Sequence, residues 1–82
     1  MSIQNDNYVF IGYKASYAEH GFESYFAEVH NNQEIVEEYG IVRGETEEEI
    51  YGKATEMAIR FQFPVDITIH DIDNSKSFFT GF

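Results

Sequence analysis

The residues with the most chemistry to offer are three histidines (His20, His30, His70) and fifteen carboxylates, in an 82-residue chain without cysteine. The histidines show no i,i+4 helical pairing and no cysteine neighbour. Their spacing builds no zinc site, and no metal or cofactor is expected. Asp71-Ile72-Asp73-Asn74 has the alternating acids that open a calcium loop. Such a loop needs glycine at its sixth position and a closing glutamate. Lys76 and Phe82 stand there instead, so the segment reads as a turn. Acid–base catalysis needs two carboxylates in contrasting environments, and the spacing of Glu56, Asp66 and Asp71 singles out no pair. There is no nucleophile elbow, Gly-rich phosphate loop or Ser/His/Asp signature. A chain this short buries only a thin core, with little room for a deep ligand cavity. The expected function is non-enzymatic.

What the carboxylates can do together is more informative. Fifteen acids against five bases give a net charge of −10, which argues against binding nucleic acid or anionic lipid. Six glutamates (Glu19, Glu23, Glu28, Glu34, Glu37, Glu38) fall between Ala15 and Val42 with no Lys or Arg among them. Four more (Glu45, Glu47, Glu48, Glu49) fall between Gly44 and Gly52, again without a base. Adjacent like charges in a sheet are mildly destabilising, so their accumulation asks for a reason. One reason is a negative surface for a basic partner; the other is solubility combined with helix capping. Tyr25, Tyr39 and Tyr51 lie on or beside these runs. Tyr supplies interface area at low entropic cost, although half-buried sheet positions would account for each one singly. The candidate partner-binding set is Glu23, Tyr25, Glu34, Glu37, Glu38, Tyr39, Glu45, Glu47, Glu48 and Tyr51.

The elements that must position these residues follow from periodicity. Asn7 to Ala15 is dense in β-branched and aromatic residues and reads as a strand. Both its faces are partly apolar, which suits a central place in a sheet. Ser16 to Gly21 is small and polar and reads as a loop. Phe22–His30 and Gln33–Val42 read as a hairpin turning at Asn31-Asn32, since Asn tolerates positive φ. Two registers remain open. One sets Ala27 against Val36; the other sets Tyr25 against Tyr39 and Val29 against Ile35. Thr46 and Glu49 have capping-box spacing, and Glu47–Glu49 complement the helix dipole. Ile50, Ala54, Met57, Ala58 and Phe61 form an apolar helical stripe that ends before Pro64. Glu49–Lys53 and Glu56–Arg60 are i,i+4 pairs. Val65 to Asp71 alternates as a half-buried strand, with Val65, Ile67 and Ile69 on one face. Ser77–Thr80 could add a short last strand, and Phe78, Phe79 and Phe82 must be buried or meet a partner.

The predicted fold is α+β: a single domain over residues 1–82 with a mainly antiparallel sheet of four or five strands. Element order is β-β-β-α-β, with one amphipathic helix on one face. No run is apolar and long enough to span a membrane, and no signal peptide is visible at Met1–Asp6. A soluble, cytoplasmic protein is expected. In size, charge and composition the chain resembles the small acidic phage-encoded inhibitors, the anti-CRISPR and anti-restriction proteins that act as DNA mimics. The resemblance covers the general character of the whole chain and rests on no diagnostic motif. It implies a partner that is a nuclease or CRISPR effector, bound in the host cytoplasm without chemistry. An antidote or immunity protein against a basic toxin has the same physical signature. A homodimer closed over the Phe78-Phe79-Phe82 tail is the third reading.

Overall fold

The computed structural model describes residues 6–73. Its elements are β1 (Tyr8–Tyr13), α1 (Ala15–Glu19), β2 (Tyr25–Asn31), β3 (Glu34–Ile35), a 3-10 turn (Glu37–Tyr39), β4 (Ile41–Gly44), α2 (Glu47–Phe61) and β5 (Val65–Asp71). β2 pairs antiparallel with β1 on one side and with both β3 and β4 on the other. β5 lies parallel to β1 on its outer edge. The parallel pair requires a crossover, and α2 supplies it. The α+β fold expected from the sequence is present, with β1 inside the sheet.

Alternation decides which face the helix covers. Val9 and Ile11 of β1 and Ala27 and Val29 of β2 are fully buried against Ile50, Ala54, Met57 and Ala58 of α2. Phe61 packs at the margin of this cluster. Thr46 caps the helix as its spacing predicts: its hydroxyl accepts from the Glu49 amide at 3.1 Å. The Glu49 carboxylate reaches back to the Glu45 amide at 2.9 Å, one residue before the cap. At the other end Gln62 takes a left-handed φ of 62°. Phe63 then donates to the Ala58 carbonyl at 2.9 Å, which closes the helix in a Schellman-type turn.

Several local expectations are corrected. Ser16–Gly21 is not a plain loop, because Ala15–Glu19 completes a short helix. Ala18 and Tyr17 both donate to the Lys14 carbonyl. The hairpin turns at Asn32-Gln33, with φ of 54° and 71°, rather than at Asn31-Asn32. Asn31 stays in the strand because its side chain donates to Asn7 at 2.8 Å. His30 therefore faces Ile35, a register that neither alternative contained. The expected third strand breaks into β3 and β4 around the 3-10 turn and Gly40, whose φ is 82°. The break turns Tyr39 inward onto Phe61 and Phe63, at 4.9 and 5.1 Å between ring centroids. Beyond it the pairing has moved on, so that Val42 faces Ala27.

β2 begins at Tyr25 rather than Phe22, which is 66% exposed. In β5 the alternation fails at a bulge: Val9 faces Val65 and Ile11 faces Ile69. Two residue steps along β1 therefore match four along β5, and Ile67 is left 69% exposed. Glu49 and Lys53 pair at 3.3 Å as expected. Arg60 instead lies over the Phe61 ring at 5.4 Å, and no Glu56–Arg60 ion pair forms among the described residues. Ile72 and Asp73 have helical backbone where a turn was expected. The remainder of that turn, the Ser77–Thr80 strand and the Phe78-Phe79-Phe82 tail lie outside the described residues.

Candidate functional site

β3, the 3-10 turn and β4 form one margin of the sheet, and this margin carries the acids. Glu34 lies in β3, Glu37 and Glu38 in the turn, Glu45 just past β4, and Glu47 and Glu48 in the first turn of α2. Glu23 precedes β2. All seven are exposed. Among the described residues the ion pairs engage only Glu28, Glu49 and Asp66, so none of these seven has a basic partner. Glu49 stands apart, since the Glu45 amide and the Lys53 ammonium hold its carboxyl below the usual range.

The margin is not uniformly negative. Glu23 and Glu38 line a hollow of about 840 Å³ together with Arg43, Lys53 and Arg60. Three of the five basic residues of the chain thus converge beside the acidic margin. Lys53 and Arg60 lie seven apart on α2, and helical periodicity alone could have placed them together. Arg43 reaches them only through the pairing of β4.

The three candidate tyrosines have structural work. Tyr25 is half-buried beside Tyr13 at 4.8 Å. Burial first, and then the charge of Glu47, push its hydroxyl pKa up. Tyr39 closes the end of the core against Phe61 and Phe63. Tyr51 is partly exposed, and its hydroxyl donates to the Ile67 carbonyl at 3.0 Å, which pins the β5 bulge to α2. Glu28 shares the acidic run in sequence but leaves the surface: it is 8% exposed and accepts from His30 Nε2 at 2.7 Å.

That pair belongs to an arrangement the sequence reading missed, on the sheet face away from α2. The Phe10 ring is stacked between two imidazoles, His30 at 4.0 Å and His70 at 4.5 Å, with interplanar angles of 8° and 11°. Each imidazole holds a carboxylate, His30 with Glu28 and His70 with Asp66 at 3.0 Å. In a regular strand residues four apart are separated by about 13 Å; the β5 bulge is what lets Asp66 meet His70. This contact, with help from the Thr68 amide, holds the Asp66 carboxyl below the usual range. The neighbouring Phe26 ring lies over Gly12, its partner across the strands. No family model matches this chain, and comparison with curated proteins and with solved structures returns no match.

Neither imidazole is hydrogen-bonded to a hydroxyl among the described residues. No group of three or more His, Asp or Glu side chains among them is placed to hold a metal ion. No helix among them is long and apolar enough to cross a membrane. The Phe10 stack holds β1, β2 and β5 together, whereas the acidic margin faces outward.

Proposed function

We propose that this chain is a protein-binding module that acts without chemistry, presenting its acidic margin to the basic, nucleic-acid-binding groove of a partner. The observation that carries this is the row of exposed glutamates from Glu34 to Glu48 with no basic partner among the described residues. Along β2 the margin runs from the position of Asn31 to that of Tyr25, roughly 20 Å. Glu34, Glu37 and Glu38 fall within that span, and Glu45, Glu47 and Glu48 follow just beyond it, so the margin presents a run of like charge to a groove built for phosphates. The resemblance to small acidic phage inhibitors supports an anti-CRISPR or anti-nuclease role in the host cytoplasm.

The test uses the immobilised chain to capture proteins from a nuclease-bearing host, followed by elution with duplex DNA. Captured partners should be nucleic-acid-binding proteins that duplex DNA displaces. Glu34→Lys, Glu37→Lys and Glu38→Lys should each weaken binding mainly by slowing association. Asp6→Lys and Glu19→Lys serve as controls. Asp73 is unsuitable as a control because its carboxylate holds the Ser16 amide at 2.8 Å. Equal, small effects of all five reversals, or capture indifferent to DNA, would sink the proposal.

A further inference from the structure

The sheet face away from α2 carries a hollow of about 810 Å³, within the range of roughly 300–1,000 Å³ typical of small-ligand sites. Val9, Ile11, Ala27 and Val29 are buried against α2. Alternation therefore turns Tyr8, Phe10, Phe26 and His30 the other way, and all four line the hollow. His30 stands opposite Tyr8, and His70 opposite Gly12. The His30–Phe10–His70 row thus runs diagonally across β2, β1 and β5. Its rings are stacked at 4.0 and 4.5 Å between centroids, with interplanar angles of 8° and 11°. Rings stacked along a sheet stand upright on it, so they offer the hollow their rims rather than their faces. A ring rim is the positive end of the aromatic quadrupole. It attracts the negative face of another aromatic ring laid flat across the row.

Besides the two imidazoles, the charged side chains lining this hollow are Lys14, Arg43, Glu28 and Asp66. The two carboxylates are already engaged: Glu28 lies 2.7 Å from His30 Nε2, and Asp66 lies 3.0 Å from His70 Nε2. Lys14 and Arg43 have no ion pair among the described residues. The Lys14 ammonium rests 5.0 Å from the centroid of the Tyr17 ring, which also lines the hollow. Both bases lie at one end. Arg43 faces Phe26, and Phe26 faces Gly12. Lys14 follows Gly12 by two residues with extended backbone, which keeps it on the same face. Ile35, opposite His30, marks the other end. The hollow therefore has a polarity, with unpaired positive charge beside Phe26 and an apolar end at Ile35.

We propose that this hollow binds a small, flat aromatic anion, its ring lying over the His30–Phe10–His70 row and its anionic group directed to Lys14 and Arg43. The test titrates the full chain with 2-naphthoate, followed by NMR at the imidazole protons of His30 and His70. The titration is repeated with 2-naphthamide and with 2-naphthylmethylammonium, which keep the ring and change the charge. A ligand of this size should bind with a Kd of about 1 mM or tighter. In a chain of net charge −10, non-specific attraction favours the cation. The hollow should impose the reverse order, with 2-naphthoate about tenfold or more tighter than the ammonium. Lys14→Gln and Arg43→Gln should each weaken 2-naphthoate about fivefold and leave 2-naphthamide unchanged. Arg60→Gln, which removes a base outside this hollow, should change neither. Decalin-2-carboxylate, which keeps the charge without an aromatic face, should bind several-fold more weakly. Imidazole protons unmoved by 2-naphthoate overturn the proposal. So does binding of the amide or the ammonium as tight as that of the acid, which would make the hollow an apolar groove or a cation site. Equal losses in Arg60→Gln, or equal binding of the saturated acid, overturn it as well.

Discussion

Gly12→Ala should destabilise the fold by about 1–2 kcal/mol, the net of two opposing effects. Gly12 faces Phe26 across β1 and β2. A methyl group placed there would fall 2.5 Å from Phe26 Cε1 and 3.0 Å from Cε2, and closer still to Cζ. Carbon atoms rest about 3.5–4.0 Å apart, so the ring must retreat by roughly 1 Å or more. Phe10 stands beside it at 6.3 Å between centroids, so the ring can give only by swinging into the hollow of about 810 Å³ that it lines. Overpacking of this kind costs about 1–3 kcal/mol. Removing a strand glycine returns about 0.5–1 kcal/mol of backbone entropy. The net loss should lower the melting temperature by roughly 5–15 °C. Urea denaturation followed by circular dichroism gives the free energy, and a cycle with Phe26→Ala isolates the cause. In the Phe26→Ala background Gly12→Ala should be neutral or stabilising by up to about 1 kcal/mol. A stabilised single variant, or the same effect in both backgrounds, would refute the placement of the ring over Gly12.

Met57→Asp should cost several kcal/mol by burying an unpaired charge against the sheet, and an unchanged melting temperature would remove α2's stripe from the core. Thr46→Ala should cost about 1 kcal/mol in urea denaturation through the lost cap to the Glu49 amide; no loss would show that the cap is not formed in solution. Asp66 titrates below an unfolded aspartate because His70 bonds its carboxylate. Its contribution is therefore complete above about pH 4 and fades as pH falls through the folded value. Stability measured from pH 5 to pH 2 should fall less steeply in Asp66→Asn than in the wild type, and parallel curves would contradict the contact. Added salt should raise the melting temperature by screening ten surplus negative charges; a fall would mean that the exposed glutamates are individually paired.

The helix was legible because every signal for it is local. Thr46, the first-turn glutamates, the Ile50–Phe61 stripe and Pro64 lie within one turn or two of what they control, and the structure follows them from Glu47 to Phe61. That β1 is a strand in the interior of the sheet was legible too, because its density of β-branched and aromatic residues on both faces is a local signal. The acidity of the β3–β4 margin could be read as composition, because those glutamates lie close in sequence. The break in the expected third strand could not, since it depends on Tyr39 finding Phe61 and Phe63 across the core. Nor could the sequence show that Tyr25, Tyr39 and Tyr51 are held by packing and by a bond to β5. The Phe10 stack joins residues 10, 30 and 70, from three strands. It exists because the β1–β2 register sets Tyr8 opposite His30 and because a bulge folds Asp66 back toward His70. The sequence by itself determined the charge, the helix and the presence of β1, β2 and β5 as strands, which need only neighbours along the chain. Register, the bulge and the burial of Glu28 were decided by the tertiary structure, because a strand pairing is a contact between distant residues and a shift of one position exchanges the faces.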